Sequence, residues 1–222
     1  MFRENPAPIR QRCGKAVAGA LATDPMQDLA TMRDCAMVTG ATKEVVVGCE
    51  PRVRVFLGES AGGTLLVRIE SLDPENTDVD AFFFNFSDPT LADTVGIFSP
   101  APTLDAPVFD AAGTIDSLSD GTELRDGYQG RFEFGTAGTD TSGDIDAVGF
   151  TFFLSGAGES LTVDSLDASS FAVVVNSDDG GGLVLTASPS GEGQQETIVK
   201  TLVEDFDDIR DPDDSRLIES DG

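Results

Sequence analysis

The side chains in this chain that could do chemistry are carboxylates. Asp and Glu number 40 among 222 residues, against 14 Lys and Arg, and there is no His. Without His, neither a Ser-His-Asp nor a Cys-His nucleophile can be assembled, and His-ligated metals are excluded with them. The glycines at 180–182 lack the Lys and the helix that would make a phosphate-binding loop of them. What remains is oxygen chemistry in Asp-rich loops: Asp73, Glu75, Asn76, Asp78 and Asp80; Asp116, Asp120 and Asp126; Asp140, Asp144 and Asp146; Asp178 and Asp179. Calcium takes about six to eight oxygens from carboxylates and loop carbonyls, and such loops present both. The expected cofactor is therefore calcium, with Asp78, Asp80, Asp140, Asp144 and Asp146 as its ligands. Solvated turns suit the same residues, because Asp bonds its own backbone there, and no spacing matches the EF-hand loop. So many carboxylates make any acid–base pair uninformative, so no catalytic residue is singled out and a non-enzymatic protein is expected.

These loops need strands to carry them. The densest aromatic run, Val79 to Asp88, reads as a central strand with Phe82, Phe84 and Phe86 on one side and Ala81, Phe83 and Asn85 on the other, both faces covered. Before it, Val45–Val47, Arg52–Leu57 and Thr64–Leu72 alternate with a two-residue period around the Glu59-Ser-Ala-Gly-Gly turn, which is a hairpin pattern. After it come short apolar pieces at 95–98, 108–109 and 115–118. Tyr128–Gly135 follows, with Gly130, Phe132 and Phe134 on one face and Arg131 and Glu133 on a wet one. Ile145–Leu154, Ser170–Val175 and Leu183–Ala187 complete the set. Many short strands joined by Gly, Asp and Pro loops predict an all-β, antiparallel β-sandwich, with a closed barrel as the alternative.

Three segments are expected. Residues 1–44 read as helical or irregular, the better helix starting at Asp24 with Pro25 at its first position and an apolar stripe of Met26, Leu29, Met32 and Met37 running to Val38. Residues 45–190 form the sandwich. Residues 191–222 are an acidic tail in which Ile198, Leu202, Phe206 and Ile209 predict a short amphipathic helix over 196–210.

The charge is uneven. Residues 1–68 hold nine Lys or Arg against seven Asp or Glu, and residues 69–222 hold five against 33. A net charge of −26 disfavours nucleic acid and anionic membrane by Coulomb repulsion, and fits both a high-salt habitat and a secreted acidic protein. No run reaches the roughly 18 apolar residues of a membrane helix, so no membrane insertion is expected. No opening stretch has the charged, apolar, small-residue order of a cleaved secretory signal. Cys13, Cys35 and Cys49 leave three alternatives: one bridge and a free thiol, an intermolecular bridge, or three thiols.

Asp80-Ala-Phe-Phe-Phe-Asn-Phe-Ser-Asp88, then Gly127-Tyr-Gln-Gly-Arg-Phe-Glu-Phe-Gly-Thr-Ala-Gly138, Gly143-Asp-Ile-Asp-Ala-Val-Gly-Phe-Thr-Phe152 and Phe171-Ala-Val-Val-Val175, occur in that order. Over roughly residues 52–187 this pattern resembles a poorly characterised all-β domain of bacterial secreted proteins, often found beside calcium-binding RTX repeats, which this chain lacks. The resemblance implies a β-sandwich in an extracellular or cell-surface setting and brings no activity with it. The expected function is a binding or adhesion module stabilised by calcium. The alternative is a structural subunit of an ordered assembly, such as a virion decoration protein, filament or surface layer, with other copies or other protein subunits as partners.

Overall fold

In the computed structural model the described residues are 11–12, 38–99, 107–134, 145–156, 160–177, 181–187 and 194–199. The hairpin pattern builds one sheet. Strands β2 (Val38–Gly48), β3 (Arg52–Ser60) and β4 (Leu65–Ser71) run as a meander, the second turn closed by a bond from the Ser60 N–H to the Thr64 carbonyl. Strand β11 (Ala147–Leu154) adds to β4, and β6 (Val95–Phe98) adds to β11, giving the order β2-β3-β4-β11-β6.

The aromatic run is β5 (Val79–Phe84), buried at all six positions. It lies inside a seven-stranded sheet between β12 (Ala172–Val175) and β10 (Gly130–Glu133). Strands β13 (Gly181–Thr186), β14 (Gln194–Val199) and β1 (Gln11–Arg12) continue past β12, and β7 (Val108–Phe109) closes the other side. All pairings are antiparallel.

The two sheets are not closed into a barrel and face each other across one apolar layer, so the fold is a β-sandwich. Val53, Val55 and Leu57, then Leu65, Val67 and Ile69, then Val148, Phe150 and Phe152 point inward from one sheet. Phe82, Phe84, Phe132, Phe134, Val173 and Val175 meet them from the other. The rings interlock: Phe132 meets Phe150 edge-on at 4.7 Å between centroids, and Phe82 meets Phe171 at 5.2 Å. Such pairs add roughly 0.5–1.5 kcal/mol each beyond area burial.

The second face of β5 is covered as expected, by a hairpin of β8 (Ile115–Ser117) and β9 (Glu123–Tyr128). Leu118, Leu124 and Tyr128 pack there on Ala81, Phe83, Ala172 and Val174. That cover corrects the wet face expected for β10. Glu133 is buried, accepting from the Ser119 N–H at 2.8 Å and hydroxyl at 2.7 Å, with Arg131 beside it at 2.8 Å. Alternation in β10 is genuine, but the polar side faces a hairpin instead of water.

Two boundaries also change. Strand β2 begins at Val38, inside the segment read as helical or irregular, because Thr42–Gly48 pairs residue for residue with Arg52–Gly58. The helix proposed from Asp24 falls otherwise outside the described residues, and Gln11–Arg12, within the segment read as helical or irregular, is strand. At the other end Gln194–Val199 is a strand paired with β13 from Gly181↔Val199 to Thr186↔Gln194, not the start of a helix. Its Thr-Ile-Val ending suits a sheet, and the helical spacing lies almost wholly beyond it. Residues 200–210 are outside the described set.

Candidate functional site

Two places stand out: the head of β5 and the outer face of the five-stranded sheet. At the first, the alternation of β5 slips. Val174 pairs with Ala81 but Val175 pairs with Val79, so Asp80 is the extra residue of a β-bulge. Val79 faces the inter-sheet core and Ala81 the hairpin cover. A bulge re-aims a side chain out of the ladder. Here it places a carboxylate in the interior: Asp80 is 0 % exposed.

Its oxygens are unequal. Oδ2 accepts from the Ser177 backbone N–H at 2.7 Å, while Oδ1 has no hydrogen-bond partner. The buried hydroxyls of Thr77 and Ser177 are also unpartnered. Asp78 sits at the half-exposed rim. Its Oδ1 accepts from the Ile145 N–H, and its own N–H donates to Asn176 Oδ1 at 2.8 Å. Asn176 adopts a left-handed φ of 55° and donates through Nδ2 to the Asn76 carbonyl. The left-handed region suits Asn better than most side chains, and this turn delivers Ser177 to Asp80.

Among the described residues, no Lys or Arg reaches ion-pair distance of Asp78 or Asp80. Burial, and then the nearby Asp78 charge, push the Asp80 carboxyl up to about 7 against the opposing Ser177 N–H. Exposed acids elsewhere act as turn formers. Asp88 accepts from the Thr90 N–H and hydroxyl, and Asp110 from Thr114 and the Ala112 N–H, which hold both carboxyls below the ordinary range.

Of the five expected ligands, Asp78 and Asp80 come together. Asp146 is exposed beside Ile145, its carbonyl bonded to the Ser71 N–H at 2.7 Å, and Asp140 and Asp144 lie outside the described residues. Among the described residues no group of three or more His, Cys, Asp or Glu is placed to hold a metal ion.

The second place was not foreseen. The large apolar side chains exposed among the described residues are Phe98 (58 %), Val46 (40 %) and Phe153 (37 %). Register puts all three on the outer face of the five-stranded sheet, since their neighbours Ile97, Val47 and Phe152 belong to the core. Phe98 and Phe153 are diagonal neighbours on adjacent strands, and the Phe153 ring lies over Gly96, where an added Cβ would come within 2.4 Å of it. Beside them, Arg54 and Arg68 share Glu70, Arg68 at 2.8 Å. The parity of Phe152-Phe153 in the sequence carries the signal, because only one of two adjacent strand residues can face the core. Cys49, in the β2–β3 turn, is disulfide-bonded, and its partner lies outside the described residues.

Compared with protein-family models, curated proteins and solved structures, the chain matches none of them. Among the described residues no helix is long and apolar enough to cross a membrane.

Proposed function

We propose that this protein is a non-enzymatic binding module of the cell exterior, with the outer face of its five-stranded sheet as the contact surface. The observation that carries the reading is the asymmetry of the two sheets. One outer face is roofed by the β8–β9 hairpin, whereas the other displays Phe98, Phe153 and Val46 around an Arg–Glu cluster. Aromatic and Arg side chains are the types enriched at protein interfaces. The disulfide at Cys49 supports an oxidising compartment, and the negative charge favours a partner surface that is not acidic.

The open edge at β6 favours a second reading, the ordered assembly. Among the described residues strand β6 pairs with β11 alone, and it carries Phe98 at its end. An unpaired edge can accept a strand from another copy. Affinity purification of the tagged protein from its own cells, beside a Phe98→Ser/Phe153→Ser double variant of equal thermal stability, tests both readings. Loss of a heterologous partner supports the module, loss of self-association supports the assembly, and identical complexes from the two forms refute the surface.

A further inference from the structure

We infer that Asp78, Asp80 and Ser177 hold a hard divalent cation, calcium foremost, at the head of β5. A buried carboxylate ordinarily ends on donors or on a positive charge. Asp80 ends on one donor. Its Oδ1 has no partner, and the buried Ser177 hydroxyl, on the residue whose N–H holds Oδ2, has none either. Asp78 stands two residues away, with Oδ1 taken by the Ile145 N–H and its carboxyl acting on Asp80. Two carboxylates this close repel unless they share a proton or a cation lies between them, and no Arg or Lys of the described residues does so.

The chemistry of the gap narrows the occupant. Every available donor is oxygen, which suits magnesium, calcium or manganese over softer ions. Calcium tolerates irregular geometry, while magnesium demands a near-ideal octahedron, and a bulge with ligands from β5 and the turn after β12 is irregular. Water can complete the shell from the half-exposed Asp78 side. Two carboxylates and a hydroxyl make a weak site, in the range of about 10⁻⁴–10⁻³ M typical of extracellular modules. The inference stands apart from the proposed contact surface, which lies on the other sheet.

The test is a thermal melt of the full chain, first freed of metal with EDTA, in calcium chloride or magnesium chloride up to millimolar levels, with sodium chloride holding ionic strength constant. The expected result is a saturable calcium-dependent rise in melting temperature, larger than that with magnesium. It should be absent in Asp80→Asn and weakened severalfold in Asp78→Asn and Ser177→Ala, and retained in Asp116→Asn, whose exposed side chain lies on the β8 strand. Isothermal titration with calcium chloride should give close to one site in the wild type and none in Asp80→Asn. Should Asp80→Asn fold poorly, the severalfold weakening in Asp78→Asn at the rim carries the test. No calcium response in the wild type, or one that persists in the Asp78 and Asp80 variants, overturns the site and leaves general screening of the acidic surface as the cause.

Discussion

Replacing Asp80 by Asn should make the metal-free protein more stable at pH 8 and remove most of a pH dependence that the wild type shows. The folded carboxyl titrates near 7 because it is buried, against 3.8 for an ordinary Asp. Below about pH 3.8 both folded and unfolded chains are protonated at this position, and folding suffers no penalty. Between 3.8 and 7 the unfolded chain has released its proton while the folded one keeps it, so stability falls as pH rises. Above 7 the full penalty applies. At 1.36 kcal/mol per pH unit, a rise from 3.8 to about 7 is worth on the order of 4 kcal/mol. Asn keeps an acceptor for the Ser177 N–H and offers an N–H toward Asp78, as a protonated Asp80 would. Urea unfolding in EDTA at pH 4 to 8 measures the effect. With a slope of about 2 kcal/mol/M, the midpoint of the variant should exceed that of the wild type by up to roughly 2 M at pH 8, and the two should converge near pH 4. The difference between the two proteins therefore reports on Asp80 together with Asp78, whose charge acts on it. Parallel pH curves for the two proteins would refute the reasoning.

Other perturbations reach different parts of the structure. A Cβ on Gly130 would lie 2.2 Å from the Phe84 ring, so Gly130→Ala must displace a fully buried Phe; overpacking of this kind costs about 1–3 kcal/mol, read as a lower midpoint in urea. Glu133→Ala strips the acceptor from the Ser119 N–H and hydroxyl under the β8–β9 hairpin. It should destabilise by roughly 1–3 kcal/mol, with hydrogen exchange accelerating first in residues 115–124. Reduction of the Cys49 disulfide, or Cys49→Ser, should lower stability by about 2–5 kcal/mol, and peptide mapping without reductant should recover Cys49 in a bridged peptide.

The strands were legible where residues alternate. Phe82, Phe84 and Phe86 on one side of β5 and Ala81 and Phe83 on the other follow from a period of two, and the structure assigns them to separate cores. Partners across space were not legible. Glu133 looks solvent-facing by alternation alone, because nothing local says that the hairpin turn at Ser119, 14 residues earlier, folds over it. Strand β9 carries little signal of its own, since Glu-Leu-Arg-Asp-Gly-Tyr is mostly polar and buries only Leu124 and Tyr128. The Gln194–Val199 strand was lost to a helical stripe for the opposite reason: four apolar residues at helical spacing outweighed the short β-branched stretch at their start. At the site, Asp78 and Asp80 were visible as acids beside an apolar run. The bulge that buries Asp80 and the arrival of Ser177 depend on β12 pairing, which sequence order does not reveal.

The contact surface is tested most directly by placing a photo-activatable phenylalanine at position 98 and irradiating the protein in its own cells, with Glu123 on the opposite hairpin as the control position. The account predicts a discrete cross-linked product from position 98 and none from position 123, its mass naming either a foreign partner or a second copy of this chain. Equal labelling from both positions, or none from position 98, would contradict the claim that this face is where the protein works.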